Sequence, residues 1–268
     1  VKQLRTNLEE SRKLNGAIDL ATEARFLAAL SHPNIISLHS TGDNAGHLDF
    51  FIVIECLDTT VANKFRDWHS MKSRVSDSGE PRSEKTKKKE RLMDDRIRVM
   101  FEVSSALKYL HEQSIIFRDI KPENVGLDSD GHVKIFDFGL AKELRSQDQV
   151  SETDDQYNAT QNAGTKRYMA PEVFSGKIYS LSADVYSFAI LMWEVVALDT
   201  PFTGMTQQEH TRAAYKLKRR PKVKRSWPAP IKKIMQVSWA HKPSSRVTMA
   251  TIFSELEAHL ASKPPPTD

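Results

Sequence analysis

Residues 19–30 carry the pattern of an amphipathic helix. Apolar side chains recur there at three- and four-residue spacing, which places them on one helical face. The members of that face are Leu20, Ala24, Leu27 and Leu30. Glu23 shares the face, and a carboxylate on an inward stripe needs a partner because burying it unpaired is costly. His32 and Pro33 predict the end of the helix.

Two extended runs follow this helix. IISLHS at 35–40 and DFFIVIECL at 49–57 are rich in β-branched and aromatic residues, and the turn-like GDNAGH separates them. Further along, short apolar runs at 124–127 and 133–136 flank the tight-turn signal Ser129-Asp130-Gly131. These runs predict strands that are joined by turns.

The remaining pattern is mainly helical. Residues 92–112 form a long amphipathic stretch, and 183–198 are apolar nearly all round, which predicts a helix enclosed by protein. Further helices fit 229–240 and 247–262. The predicted order is therefore a few strands with one helix, followed by a helical body, which makes the fold class α+β.

Composition favours a soluble globular protein. Of 268 residues, 39% are hydrophobic and 28% are charged, and no run of 18 or more apolar residues is present. We therefore expect no membrane partner. The single cysteine, Cys56, excludes a disulfide framework and fits a reducing compartment. The cytoplasm is the expected location, with the nucleus as the alternative.

Two segments concentrate charge. Residues 72–91 hold eight basic and four acidic side chains and almost no apolar ones, so we expect a flexible, disordered insert at about 70–91. Residues 216–225 hold seven basic side chains and no acidic one. Such clusters can hold phosphate or nucleic acid. A solvated loop and a basic surface are the preferred interpretation, and a nucleic-acid partner is not favoured.

The segments 115–127 and 134–142 carry the candidate chemistry. Asp119, Asn124 and Asp137 fall in loops between strand-like runs. Carboxylate and amide oxygens of this kind suit Mg²⁺. Lys121 adds a positive charge beside Asp119, as expected where a phosphoryl group is steadied during transfer.

The motifs resemble those of a eukaryotic protein kinase. The RDxKxxN pattern matches Arg118, Asp119, Lys121 and Asn124, while DFG stands at 137–139 and APE at 170–172. GTKRYMAPE and a helix that begins DVYSF follow in the family order. Helix packing alone does not reproduce that series. The later segments are most similar to the tyrosine-kinase-like group, which includes many serine/threonine kinases.

The resemblance implies a bilobal fold. Residues 1–57 would be a partial small lobe with the third strand, one helix and the hinge. Residues 58–262 would form the mainly helical large lobe, and 263–268 a tail. The first two strands and the glycine-rich loop of the family are missing. We therefore expect a chain truncated before the lysine strand, with an incomplete antiparallel sheet. Residues 1–268 alone should bind Mg-ATP weakly and transfer phosphate barely or not at all.

Catalytic roles also follow from the resemblance. Lys2 matches the lysine that contacts the α- and β-phosphates of ATP, and Glu23 matches its helix partner. Asp119 would accept the proton of a substrate hydroxyl, with Lys121 beside it. Asn124 and Asp137 would hold Mg²⁺. Lys121 and Thr165 are typical of kinases that act on serine and threonine in protein substrates.

The adenine site is implied in the hinge. Ile54 would be the gatekeeper, and Glu55 and Leu57 would offer backbone groups to the base. Cys56 beside them is interpreted as a packed side chain rather than a reactive thiol. Gly126 stands where the family has a bulky floor, which is expected to cost about 1–2 kcal/mol of apolar contact.

Regulatory and structural contacts complete the expectations. Thr160 is the first-choice phosphosite for an upstream activating kinase, because a phosphate there could pair with Arg118. Thr165 is expected to position Asp119. Three further contacts are implied: Glu172 with Arg246, Asp184 with the catalytic loop, and Phe117 with Phe138.

Two rival functions were weighed against a kinase. A pseudokinase that binds partners without catalysis commonly lacks the lysine, the base or the metal aspartate. Here the full set is present, namely Lys2, Glu23, Asp119, Asn124 and Asp137. A basic nucleic-acid binder rests only on the two charged segments. Catalysis is therefore the favoured function.

Overall fold

The computed structural model describes residues 1–4, 9–42, 49–145, 147, 149–151, 154–157, 164–176 and 180–263. Thr160 and most of the tail lie outside these ranges. The α-helices are α1 Glu10–Ala29, α2 Val61–Asp77, α3 Arg82–Glu112, α4 Pro171–Phe174, α5 Ser182–Ala197, α6 Gln207–Thr211, α7 Ala229–Ser238 and α8 Met249–Ala261. The strands are β1 Lys2–Gln3, β2 Leu38–Gly42, β3 Phe51–Ile54, β4 Thr59–Thr60, β5 Ile115–Ile116, β6 Val125–Leu127, β7 Val133–Ile135, β8 Lys142–Glu143, β9 Gln149–Ser151 and β10 Asp154–Tyr157.

A small antiparallel sheet and α1 form the first part of the chain. The strand order is β1-β3-β2, so β1 is an edge strand, with Lys2 opposite Ile52. The inward face of α1 is buried as its spacing predicts, although the helix begins at Glu10 rather than at Asp19. This packing holds the α1 carboxylate Glu23 beside the β1 lysine.

The second part is mainly helical. Every residue of α5 from Ala183 to Ala197 is buried, which confirms the prediction of an enclosed helix. The inner face of α3 is fully buried at Ile97, Met100, Leu107 and Leu110. Short antiparallel strands β4-β6-β7 and β5-β8 frame the loops of the candidate site. The predicted α+β class is confirmed.

The charged insert differs from the expectation. Residues 82–91 are the first turns of α3, and all of 70–77 belongs to α2, so the predicted disordered segment is largely helical. Lys, Arg and Glu are good helix formers, and a helix already anchored at 92–112 extends at little cost. Glu84 pairs with Lys87 at 2.9 Å, and Lys85 Nζ donates to the Ser76 carbonyl at 3.0 Å. The prediction of disorder was therefore wrong for these residues.

No helix in the described residues combines the length and the apolar character that crossing a membrane requires.

Candidate active site

Glu23 joins three elements at the centre of the site. Its Oε2 accepts a hydrogen bond from Lys2 Nζ at 2.5 Å, and its Oε1 accepts one from the Asp137 backbone N–H at 3.1 Å. Lys2 Nζ also lies 2.9 Å from Asp137 Oδ1. The carboxylate on the inward stripe of α1 thus has the partner that the sequence predicted.

Burial and charge act in opposite directions in this cluster. Burial alone lowers the pKa of Lys2, but Glu23 and Asp137 outweigh it, so the pKa of Lys2 is raised and its ammonium is favoured. Burial raises the pKa of Glu23, and Lys2 partly offsets that rise. The cluster therefore keeps a cation beside Asp137, in the position where phosphate oxygens would be attracted.

Asp119 lies in the loop between β5 and β6 and is 7% exposed. Its Oδ2 accepts hydrogen bonds from Lys121 Nζ at 2.5 Å and from Asn124 Nδ2 at 2.9 Å. Its Oδ1 accepts two from Thr165, the backbone N–H at 3.0 Å and Oγ1 at 2.8 Å. Both carboxylate oxygens are thus fixed in direction, and the predicted contact between Thr165 and Asp119 is present.

Asp184 holds the backbone of the same loop. It is 1% exposed and accepts hydrogen bonds from the N–H groups of Phe117 at 2.8 Å and Arg118 at 3.0 Å. Arg118 has a φ of 71°, a left-handed conformation that is costly for a residue with a Cβ. The two hydrogen bonds that buried Asp184 accepts offset that cost. They also fix the direction in which the Asp119 side chain points away from the loop.

Phe138 anchors the DFG segment. It is 0% exposed and meets Phe117 edge to face, with ring centroids 5.1 Å apart. Phe117 thus makes the predicted aromatic contact in place of histidine. Asp137 has a φ of 70° and remains half-exposed, while Phe138 turns into the core. This arrangement presents the Asp137 carboxylate to the cleft.

Gly164 brings Thr165 to Asp119. Its φ is +110°, and a Cβ there would lie 2.5 Å from the Arg118 carbonyl oxygen. Only glycine fits both the backbone conformation and this close approach. The segment is further fixed by a buried bidentate pair, Arg246 Nη1 and Nη2 to Glu172 Oε1 and Oε2 at 2.6 and 2.8 Å. That pair was also predicted.

The hinge residues border Gly126. A Cβ at Gly126 would lie 2.5 Å from Leu57 Cδ1, so the Leu57 side chain occupies the volume that a larger residue at 126 would fill. Lys134 Nζ lies 2.9 Å from Glu55 Oε1 and ties the hinge to β7. Neither contact could be predicted from the sequence, because both join residues far apart in the chain.

The donor set fits ATP and Mg²⁺. Asp137 offers a half-exposed carboxylate, and Asn124 turns its Nδ2 toward Asp119. The amide oxygen of Asn124 accepts no hydrogen bond from the described residues and is free to bind a cation. These are the oxygen ligands that Mg²⁺ prefers, and Lys2 supplies the charge for a phosphate.

The structure brings most of the predicted site residues together. Lys2, Glu23 and Asp137 form one cluster, and Asp119, Lys121, Asn124 and Thr165 form the adjoining one. The prediction for Thr160 lies outside the described residues. The roles of the clustered residues in catalysis stay predictions.

Comparison with known proteins agrees with this geometry. The model of the protein kinase domain family matches residues 1–256. Serine/threonine/tyrosine-protein kinase HT1 of Arabidopsis thaliana is 33% identical over 163 residues, which are 61% of this chain and 40% of that protein. Serine/threonine-protein kinase 12 of the same plant is 34% identical over 170 residues, 61% of this chain and 35% of that protein. Ribosomal protein S6 kinase alpha-2 of Mus musculus is 32% identical over 198 residues, 74% of this chain and 23% of that protein. The chain thus spans less than half the length of each relative.

Proposed function

The chain belongs to the protein kinase family, and from this premise we propose that it transfers the γ-phosphoryl group of ATP to serine or threonine hydroxyls of protein substrates. The observation that supports this best is Asp119, a nearly buried carboxylate whose two oxygens are fixed by Lys121, Asn124 and Thr165. A base held in this way costs little reorganisation when the reaction occurs.

The residues divide the work. Bound Mg-ATP supplies the phosphoryl group, with the metal neutralising charge on the phosphates. Asp119 accepts the proton of the substrate hydroxyl, and Lys121 balances charge next to it. Lys2 attracts the phosphate oxygens. Glu23 keeps the Lys2 side chain in place, because Glu23 Oε2 lies 2.5 Å from Lys2 Nζ. Asn124 and Asp137 would hold Mg²⁺ through their side-chain oxygens.

Asp119→Asn tests the base. It should lower turnover on a serine-containing protein such as casein by roughly 10²–10⁴-fold, because the amide cannot take up the proton. The measurement is transfer of radiolabelled phosphate at saturating Mg-ATP, since no G-x-G-x-x-G stands in residues 1–268 and we expect a raised KM. Asp130→Asn, at an exposed turn, is the control.

The outcomes separate the two candidate functions. Unchanged turnover by Asp119→Asn would refute the base. Residues 1–268 alone are expected to transfer little or no phosphate, so the assays are also run with a glycine-rich β-hairpin fused before Val1. If the fused wild-type protein binds Mg-ATP but still transfers no phosphate, the pseudokinase alternative, a binding module without catalysis, is supported.

We also propose that the protein belongs to the tyrosine-kinase-like group of kinases. We further propose that it is located in the cytoplasm. Lys121, two residues after the base, and Thr165 support action on serine and threonine. The DVYSF helix supports the tyrosine-kinase-like group, and the similarity to HT1 agrees with this group. The single Cys56 supports a reducing compartment. Phosphorylation of a peptide array tests the preference for serine and threonine. Microscopy of a tagged protein tests the cytoplasmic location.

Phosphorylation of Thr160 remains our proposal for activation by an upstream kinase. A phosphate there would add charge that Arg118 can pair with, and the nearby carboxylates in 148–155 disfavour earlier sites by repulsion. Mass spectrometry of the active protein should find Thr160 phosphorylated, and Thr160→Ala should lower activity. Active protein without phosphate on Thr160 would refute this choice.

A further inference from the structure

A cleft of about 580 Å³ opens between α2, α3, the end of α5 and the segment 224–228. None of its lining residues belongs to the active site. Its cationic residues are Lys72, Lys89, Arg96, Lys224 and Lys263. The cleft unites the two basic segments of the sequence, because Lys72 and Lys89 come from the first and Lys224 from the second.

Arg96 is the central feature of this cleft. It is 4% exposed, and its Nε is buried without a hydrogen-bond partner in the described structure. Its Nη2 reaches only the weak acceptor Met93 Sδ, at 3.8 Å. Burial lowers the pKa of Arg96 to about 10, and Asp95 only partly opposes this. A guanidinium in such surroundings lacks the anion that normally accompanies a buried charge.

The lysines of the cleft are similarly unbalanced. Lys72, Lys89 and Lys224 form no ion pair with any carboxylate of the described chain. Burial lowers the pKa of Lys72, as do the charges of Lys224, Arg96 and Lys89, while Asp199 partly opposes them. These cations line the same cleft. Such convergence is unfavourable unless an anion occupies the space between them.

Two carboxylates also line the cleft, but they do not balance this charge. Asp94 is engaged by Lys263 at 3.3 Å and lies 3.9 Å from His259 Nε2. Glu90 is exposed and makes no ion pair with a described residue. An excess of positive charge therefore remains for a ligand.

The walls between the charges are apolar. Met93, Val196 and Trp227 line the cleft, and Trp227 is 5% exposed, so it fills a wall rather than offering a surface for stacked bases. The volume matches a site for a compact group rather than a flat surface. A bilayer presents a flat face and cannot follow a concave wall. The chemistry that fits is a phosphate with an apolar group next to it.

We propose that this cleft binds a phosphorylated serine or threonine of a peptide segment that carries an adjoining apolar side chain. The guanidinium of Arg96 and the ammonium groups of Lys72, Lys89 and Lys224 hold the phosphate, and the apolar walls hold the neighbouring side chain. The site would recruit phosphorylated partners, and it is independent of the proposed catalytic chemistry.

The test uses the full 268-residue chain and a fluorescein-labelled peptide with phosphoserine between leucines. Fluorescence anisotropy at physiological salt should detect binding, and the unphosphorylated peptide should bind at least about 10-fold more weakly. Arg96→Met should reduce the affinity by about 10- to 100-fold, and Lys224→Gln by about 10-fold. Lys222→Gln removes the same charge two residues away, outside the cleft, and should leave the affinity unchanged.

A stability measurement separates a binding residue from a structural one. Arg96→Met replaces a desolvated charge by an apolar side chain of similar length, so the melting temperature should be unchanged or higher. A large drop in melting temperature would show that Arg96 serves the fold, and would overturn the proposal. Equal binding of both peptides, or equal binding by Lys224→Gln and Lys222→Gln, would also overturn it.

Two further probes distinguish other sources of phosphate. Inorganic phosphate should compete with the peptide only weakly, because it lacks the apolar group. Phosphatidylcholine vesicles that contain phosphatidylserine should not sediment the chain in an Arg96-dependent way. Arg96-dependent sedimentation without peptide binding would replace the proposal by a lipid headgroup site.

Discussion

Among single residues, Leu57 and Gly126 share one volume beside the hinge. The sequence predicted a weaker nucleotide floor because Gly126 has no side chain. In the structure, Leu57 Cδ1 lies 2.5 Å from where a Cβ at 126 would be, so Leu57 supplies apolar surface at that place. The Leu57 side chain, from the hinge, therefore offsets the loss of apolar contact that was expected at Gly126.

Gly126→Leu should consequently harm the protein even though it introduces a bulky side chain of the kind expected there. The added side chain collides with Leu57, and overpacking of this kind costs about 1–3 kcal/mol. The affinity for Mg-ATP, measured by isothermal titration, should fall in Gly126→Leu and in Leu57→Ala. The double variant Gly126→Leu/Leu57→Ala should recover most of the loss. Additive losses in the double variant would contradict a shared volume.

Helices α2 and α3 show that a charged composition does not by itself indicate disorder. The charge of 72–91 correctly indicated that these residues bury little surface. It did not indicate that α3, anchored by Ile97 and Met100, would extend backward as a helix to Arg82. Pairs such as Lys88 with Glu80 and Lys87 with Glu84 add modest support.

Thr86→Pro should therefore disrupt the first turns of α3. Proline in a helix interior removes a hydrogen bond and costs about 3 kcal/mol. Hydrogen exchange followed by mass spectrometry should show faster exchange over 82–91 in Thr86→Pro. Arg82→Pro is the matched control, because the first helical position tolerates proline. Equal and rapid exchange in wild type and both variants would show that no stable helix exists there.

The long helices could be predicted from the sequence because their apolar positions are periodic. The buried stripes of α1, α3 and α5 repeat over many residues, and Glu23 is conspicuous on such a stripe. Strands of two residues, such as Thr59–Thr60 and Ile115–Ile116, are too short to show a periodic pattern of apolar positions. They form because the partner strands β6 and β8 lie beside them. The burial of Arg96 likewise depends on the packing of elements distant in sequence.

Across the whole molecule, one buried acid links stability to pH. Glu194 on α5 is 6% exposed, and its Oε2 accepts a hydrogen bond from the Tyr168 hydroxyl at 2.6 Å. Burial raises the pKa of Glu194 from 4.5 to about 7, and the bond from Tyr168 only partly opposes this. The folded state therefore holds a proton that the unfolded chain releases as the pH rises through this window.

The free energy of unfolding should consequently fall between about pH 4.5 and pH 7 through this group, by on the order of 3 kcal/mol. Glu194→Gln should remove that slope and raise the free energy of unfolding at pH 8, because the amide is never charged. Urea unfolding at pH 5 and pH 8 measures both effects. Glu257→Gln, at an exposed position of α8, should keep the slope of the wild type. Identical slopes in all three proteins would contradict a raised pKa.

Glu23 also has a consequence for control of the enzyme. Its two oxygens bind Lys2 Nζ and the Asp137 N–H at the same time. Moving α1 outward must break both bonds, so a displacement of α1 detaches Glu23 from Lys2 and from the DFG segment together. Helix α1 therefore couples the two contacts. A partner that binds only the displaced α1 would remove the Glu23 contacts of Lys2 and of the Asp137 backbone together.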